Sequence, residues 1–173
     1  PLRKHLHEMI LTEHRRKALM PTVLPIGVIA VDGKTTATLD HEEHNCQEQT
    51  QEGRAPQWLH RVVNATLISS SAAVCVDQKP IPAKTNDMGV FPSFFVELCR
   101  TYGRAGLFEL VTTDAGFTSV DNARLVDDAG LGYFMAVKGN QPELEAEARR
   151  LFSGLVRRQM PEAILLDWTM PVM

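Results

Sequence analysis

Two apolar runs in this chain end abruptly in an aspartate, and that repeated pattern constrains the fold more than any other feature. In VIAVDGKTT, residues 28 to 36, the run Val28-Ile29-Ala30-Val31 leads into Asp32 and Gly33; in LFELVTTDAG the run leads through Thr113 into Asp114. Short runs of aliphatic and β-branched residues suit buried strands. The Gly-Lys-Thr after Asp32 invites comparison with a nucleotide loop, which needs glycine, four residues, then Gly-Lys-Ser/Thr so that backbone N–H groups can wrap a phosphate. Here five residues separate Gly27 from Gly33, and they are too apolar for a flexible cradle. A buried strand that stops at an acid, followed by a glycine able to turn the chain, is the better reading.

The remaining segments supply partners for these strands. RKHLHEMILTEHRRKALM places Leu6, Met9, Ile10 and also Leu2 on one helical stripe with basic residues elsewhere, and Pro21 and Pro25 stop it. Such a helix ordinarily packs on a core with its basic face in water; a DNA-backbone or partner contact is the other role open to it. Residues 33 to 60 are polar and aperiodic and read as one long, mobile loop. Its His41, His44 and Cys46 have no second ligand pair at zinc spacing, so no zinc is expected there. RVVNATLISS and AAVCVDQKPI read as an antiparallel hairpin, and FPSFFVELCRTYG as a helix closed by Gly103. SVDNARLVDDAG is a short helix started by Ser119 or Asp121 and closed by Gly130, GYFMAVKGNQ a strand, and PELEAEARRLF a helix opened by Pro142. Strand and helix alternate in the second half, which implies parallel strands with right-handed crossovers. The expected fold is α/β: a five-stranded mixed sheet with helices on both faces.

A chain of 173 residues fits a single domain, here residues 1–173, with an N-terminal helix and linker at 1–25 and an atypical tail at 153–173. Three cysteines without a CxxC pair suggest reduced thiols. No apolar run approaches the roughly 18 residues of a membrane helix, so no membrane partner and a cytoplasmic location are expected. The net charge of −3 neither supports nor excludes DNA. Pro1 is not an initiator residue, and the sequence reads as a piece of a longer chain.

If the strands before Asp32 and Asp114 are parallel neighbours, their carboxylates meet at the edge where open α/β sheets place their sites. Two carboxylates brought together repel unless a cation lies between them, and Mg²⁺ or Mn²⁺ favours such oxygen ligands. The alternative for either residue alone is a turn or helix cap.

Taken in order, LPIGVIAVDGKTT, ELVTTDAGFTSVDNARLV and GYFMAVKGNQPEL resemble the catalytic domain of insertion-sequence DDE transposases, whose strands read DGK, TxDAG and KGNQ. The resemblance runs from about residue 15 to about residue 150. It implies an RNase H-like fold, an acidic triad that binds two divalent ions, and DNA as partner, both transposon ends and target. It is compatible with a homodimer on DNA and with a bacterial, nucleoid-associated setting. The first two acids map onto Asp32 and Asp114, and Lys34, Lys138 and Asn140 become contacts to the phosphate backbone. The implied activity is metal-dependent DNA strand cleavage and strand transfer at the ends of the element.

The third acid departs from that pattern. In the family the glutamate follows KGNQ beyond an intervening segment, whereas here Glu143, Glu145 and Glu147 come at once. SGLVRRQM resembles the stretch around that glutamate, yet Gly154 is followed by Leu155 where the acid is expected. Either the glutamate lies past Met173 or it has been lost; Glu145 is the nearest substitute for the catalytic position. Two further readings follow: a catalytically dead DNA-binding remnant, and a receiver-like signalling fragment in which PEAILLDWTMPVM offers Asp167 for phosphorylation.

Overall fold

The computed structural model describes residues 2–22, 24–139 and 142–152. Asn140, Asp167 and the 153–173 tail lie outside the described residues. The elements follow in the order α1 (Leu2–Arg15), β1 (Val28–Leu39), β2 (Gln47–Gln49), β3 (Gln57–Leu67), β4 (Val74–Pro80), α2 (Asp87–Tyr102), β5 (Leu110–Thr113), α3 (Val120–Asp128), β6 (Gly132–Met135) and α4 (Pro142–Phe152). No described helix is long and apolar enough to cross a membrane.

Five main strands lie in the spatial order β4-β3-β1-β5-β6. β3 runs antiparallel to both β1 and β4, whereas β5 is parallel to β1 and to β6. This is the expected α/β arrangement of a five-stranded mixed sheet, with the short β2 added beside Gln57–Leu59 of β3.

The long-loop reading of 33–60 does not hold. β1 continues past Asp32 to Leu39, paired with β3 as far as Leu39↔Trp58, so the irregular stretches shrink to those on either side of β2. The reason is visible in the burial. Lys34, Thr35 and Thr36 are exposed and beyond them only Ala37 and Leu39 are partly buried, so this half of β1 carries little apolar signal, and its order comes from the ladder with β3 rather than from a core. Threonine's β-branch suits an extended chain there. Thr36 is extruded at a bulge and its hydroxyl donates to the His60 carbonyl at 3.1 Å.

One sheet face carries Ile29 and Val31 of β1, Val63, Ala65 and Leu67 of β3, and Val111 of β5, all buried. α2 covers it with Phe91, Phe94, Phe95, Leu98 and Tyr102. The helix starts four residues before the apolar stripe, at Asp87, because Asn86 caps it by accepting from the Gly89 N–H at 2.8 Å. The α-helix ends at Tyr102 with Gly103 as its C-cap, as expected, but Gly103 keeps a helical φ of −58°; a 3₁₀ turn follows, and Gly106, at φ +63°, turns the chain out.

Pro92 lies inside α2 and has no N–H to offer the Met88 carbonyl. Asn122, buried in α3, reaches across to that carbonyl at 3.4 Å and to the Phe117 carbonyl at 2.7 Å. Ser119 caps α3 as expected, and Gly130 closes it at φ +72°.

α1 uses its charge differently from either role expected of it. Arg3 donates from Nε and Nη2 to the two carboxylate oxygens of the fully buried Asp77, each at 2.6 Å, and its Nη1 lies 2.6 Å from Glu97. Lys79 pairs with Glu97 at 2.9 Å, and His7 approaches Asp77 to 3.1 Å while stacking edge-on against Tyr102. The cluster ties α1 to β4 and α2. It also pushes the Arg3 guanidinium further toward the charged form.

Two predictions follow from these joints. Asn122→Leu should cost about 1–3 kcal/mol in urea denaturation because it orphans two carbonyls. Pro92→Ala in that background should recover part of the loss by restoring the Met88 hydrogen bond. The second concerns acid. Glu97 is held below the ordinary carboxylate range by the Lys79 hydrogen bond, against the effect of burial and with help from Arg3. The unfolded chain therefore takes up this proton first, and the stabilisation is complete above the ordinary range and lost as pH falls through the folded value. Glu97→Gln should be less stable than wild type at neutral pH and show a shallower loss below about pH 5.

Candidate active site

β1 and β5 pair in parallel through Val28↔Leu110, Ile29↔Val111, Ala30↔Thr112 and Val31↔Thr113. Asp32 and Asp114 are each the next residue, on strands about 4.8 Å apart. They differ in one respect from the expectation. β5 ends at Thr113, so Asp114 stands at a strand end, whereas Asp32 is in mid-strand and pairs on its other side with Asn64 of β3.

Each carboxylate has its own surroundings. Asp114 is exposed and makes a turn: its Oδ1 accepts from the Gly116 N–H at 3.0 Å, and its carbonyl accepts from the Phe117 N–H at 3.2 Å. Capping thus occupies one carboxylate oxygen. Asp32 is half-buried and has no hydrogen-bond or ionic partner among the described residues.

A third carboxylate escaped the sequence reading. Asp87, in the first turn of α2, receives Nη2 of Arg61 on both oxygens, at 2.9 and 2.8 Å. Its Oδ1 fills the space that a Cβ on Gly33 would take, with the Arg61 guanidinium 3.2 Å from the same point. A Cβ on Gly116 would lie 3.6 Å from Asp87 Oδ2 and 3.2 Å from Asp114 Oδ1, so these two carboxyls flank one spot. Gly33 is therefore required by the close approach of Asp87 rather than by a turn. An Asn-Asp pair ahead of a helix looks like a start signal alone, which hid this role.

The basic and C-terminal candidates lie further out. Lys34 is exposed on the same sheet face as Asp32, where its charge opposes the upward push of burial on the Cys75 thiol. Lys138 is exposed just after β6. Glu145 Oε1 accepts from Nε and Nη2 of Arg149, at 3.0 and 2.7 Å, and Oε2 turns toward Gly139, 3.9 Å from where a Cβ would stand. It thus faces the loop after β6. Among the described residues no group of three or more His, Cys, Asp or Glu side chains is arranged to hold a metal ion.

Near the end of β1, Cys46 Sγ lies 3.3 Å from His60 Nε2, which is 3.2 Å from Glu43 Oε2, and His41 bridges Asp40 and Glu43. The hydrogen bond to Asp40 raises the His41 pKa. Neither His60 nor Glu43 was among the residues singled out in the sequence.

The groups present around Asp32 fit a hard cation. Asp32 and Asp114 offer carboxylate oxygens, and the buried Asn64 beside Asp32 has an amide oxygen with no partner. An oxygen-only donor set of this kind suits Mg²⁺ or Mn²⁺.

No family model matches this chain, and no curated protein matches it. Among solved structures it is similar to a piggyBac transposase synaptic complex with hairpin DNA, at 13% identity and a TM-score of 0.45. The match covers 70% of this chain and 25% of that one, so the chain spans about a quarter of its length.

The Gly33–Asp87–Arg61 contact is open to a direct test. A double-mutant cycle on Arg61→Ala and Asp87→Ala should give a coupling of about 1–2 kcal/mol in urea denaturation. Gly33→Ala should itself cost about 1–3 kcal/mol and remove most of that coupling, because the new methyl group displaces the carboxylate.

Proposed function

We propose that this chain is the catalytic domain of a DNA transposase of the DDE type, acting in metal-dependent cleavage and joining of DNA strands at the ends of an insertion sequence. The observation that carries the reading is the parallel register of β1 and β5, in which Asp32 and Asp114 follow the same paired level. The ordered motifs DGK, TxDAG and KGNQ support it.

Asp32 and Asp114 bind the cation in this reading, and Asp114 keeps one oxygen for the turn that holds its backbone in place. Bound divalent ions would supply Lewis-acid activation of a water or DNA hydroxyl and stabilise the leaving oxygen. Lys34 and Lys138 neutralise phosphates along the DNA backbone, and Asn140 contacts them through its amide. Contacts of this kind carry no sequence information and weaken steeply with salt. Glu145 is the candidate third acid, and to serve it must exchange Arg149 for a metal ion. For that reason the chain as given is proposed to bind DNA and metal but to turn over poorly.

The test is a cleavage assay with Mg²⁺ or Mn²⁺ on a duplex carrying the element's own ends, using this chain and a version extended past Met173. The extended protein should cleave, with Asp32→Ala or Asp114→Ala lowering the rate at least about 100-fold, in the range typical for losing metal-based charge stabilisation. Robust cleavage by the short chain, abolished by Glu145→Gln, would instead identify Glu145 as the third ligand. Full activity in both aspartate variants would sink the reading.

A further inference from the structure

We propose that Asn64 is an oxygen ligand to the cation bound at Asp32, an assignment that rests on the metal-binding reading above. Asn64 stands directly across from Asp32 in the β1–β3 register. Directly opposed residues of an antiparallel pair project from the same sheet face with Cβ atoms about 4.5–5.5 Å apart. Asn64 is 8% exposed, in a strand whose neighbouring residues Val63 and Ala65 are in the core. Its Nδ2 donates to Thr66 Oγ1 at 3.3 Å, which leaves Oδ1 to find a partner, and it has none.

A buried amide oxygen without a donor is costly, and native structures retain such a group where a catalytic role or an ion explains it. No neighbouring side chain donates to this oxygen among the described residues. On one side is Asp32, whose ionised carboxylate can only accept. On the other is Gln78, whose exposed side chain makes no bond to this oxygen. Asp32 in turn has no donor among the described residues. Two acceptor oxygens side by side on one face, with no proton between them, are complementary to a cation. Carboxylate and side-chain amide oxygens are the ligand types that hard divalent ions take.

The test measures Mn²⁺ binding to the full 173-residue chain by electron paramagnetic resonance of the free ion, together with thermal melting with and without Mn²⁺. Asn64→Ala should weaken binding roughly tenfold, as loss of a supporting oxygen does. Asn64→Asp should restore or exceed wild-type affinity, because it returns the oxygen with a charge. Asn64→Leu removes the orphaned acceptor, so it should melt at or above the wild-type temperature without metal yet lose most of the Mn²⁺-induced rise.

Wild-type affinity in Asn64→Ala alongside lost affinity in Asp32→Ala would overturn the assignment and leave the metal reading intact. Weaker binding by Asn64→Asp than by Asn64→Ala would overturn it by showing that the amide donates to Asp32. Unchanged Mn²⁺ affinity in Asp32→Ala would overturn both.

Discussion

The parallel ladder between β1 and β5 is the constraint from which the rest of the molecule follows. It is only four residues long, from Val28↔Leu110 to Val31↔Thr113. Parallel strands cannot be joined by a tight turn, so the chain must leave the sheet and return. It does so through α2, whose buried phenylalanines cover the face formed by Ile29, Val31 and Val111. The same ladder sets the level at which Asp32 and Asp114 appear. Site geometry and core packing are consequently one problem: a shift of β5 by one residue would bury Asp114 or expose Val111.

Two places show how local costs are offset by distant residues. Pro92 breaks the hydrogen-bond ladder of the helix that matters most to the core, and Asn122 of α3 supplies the missing donor to Met88. Asp77 is fully buried, and Arg3 of α1 meets it with two hydrogen bonds. In both cases the compensating group comes from a different element, so α1, α2, α3 and β4 are held in mutual register by polar contacts as well as by apolar packing. A buried charge pair is weak evidence for net stability, since its desolvation is expensive. Its structural effect here is to join α1 to β4 through Asp77 and to α2 through Glu97.

What was legible in the sequence was whatever the core made periodic. The apolar runs of β1 and β5, the hairpin of β3 and β4, and the caps of α3 at Ser119 and Gly130 all announce themselves through burial or turn chemistry. The outer half of β1 does not, because Lys34 to Thr36 face solvent and their extended form is imposed by β3. Asp87 and Arg61 were hidden for a different reason. Their meaning lies in a contact across 26 residues of sequence, in which a glycine vacates space for a carboxylate. Asn64 was invisible because a polar residue within RVVNATL reads as ordinary alternation until its orphaned oxygen is seen.

The position of Asp87 also bears on the third acid of the proposed site. Its carboxyl is near Asp114, which at first makes it a competitor to Glu145 for that role. The two residues are tied up differently. Asp87 accepts from Arg61 on both oxygens, and each partner is 21% exposed, so drawing Asp87 to a metal would strand a largely desolvated guanidinium. Glu145 shares only one oxygen with Arg149, whose side chain is 76% exposed and can return to water at little cost. Asp87 is thus committed to holding α2 against β1 at Gly33, and Glu145 remains the acid more easily released. The sheet faces agree with this division. Asp32, Asn64 and Lys34 alternate with the core residues and share the face opposite α2, whereas Gly33 and Arg61 are in register with Val31 and Val63 on the helix side. In the proposed site, an acid joining Asp32 and Asn64 approaches from the face that α2 does not cover.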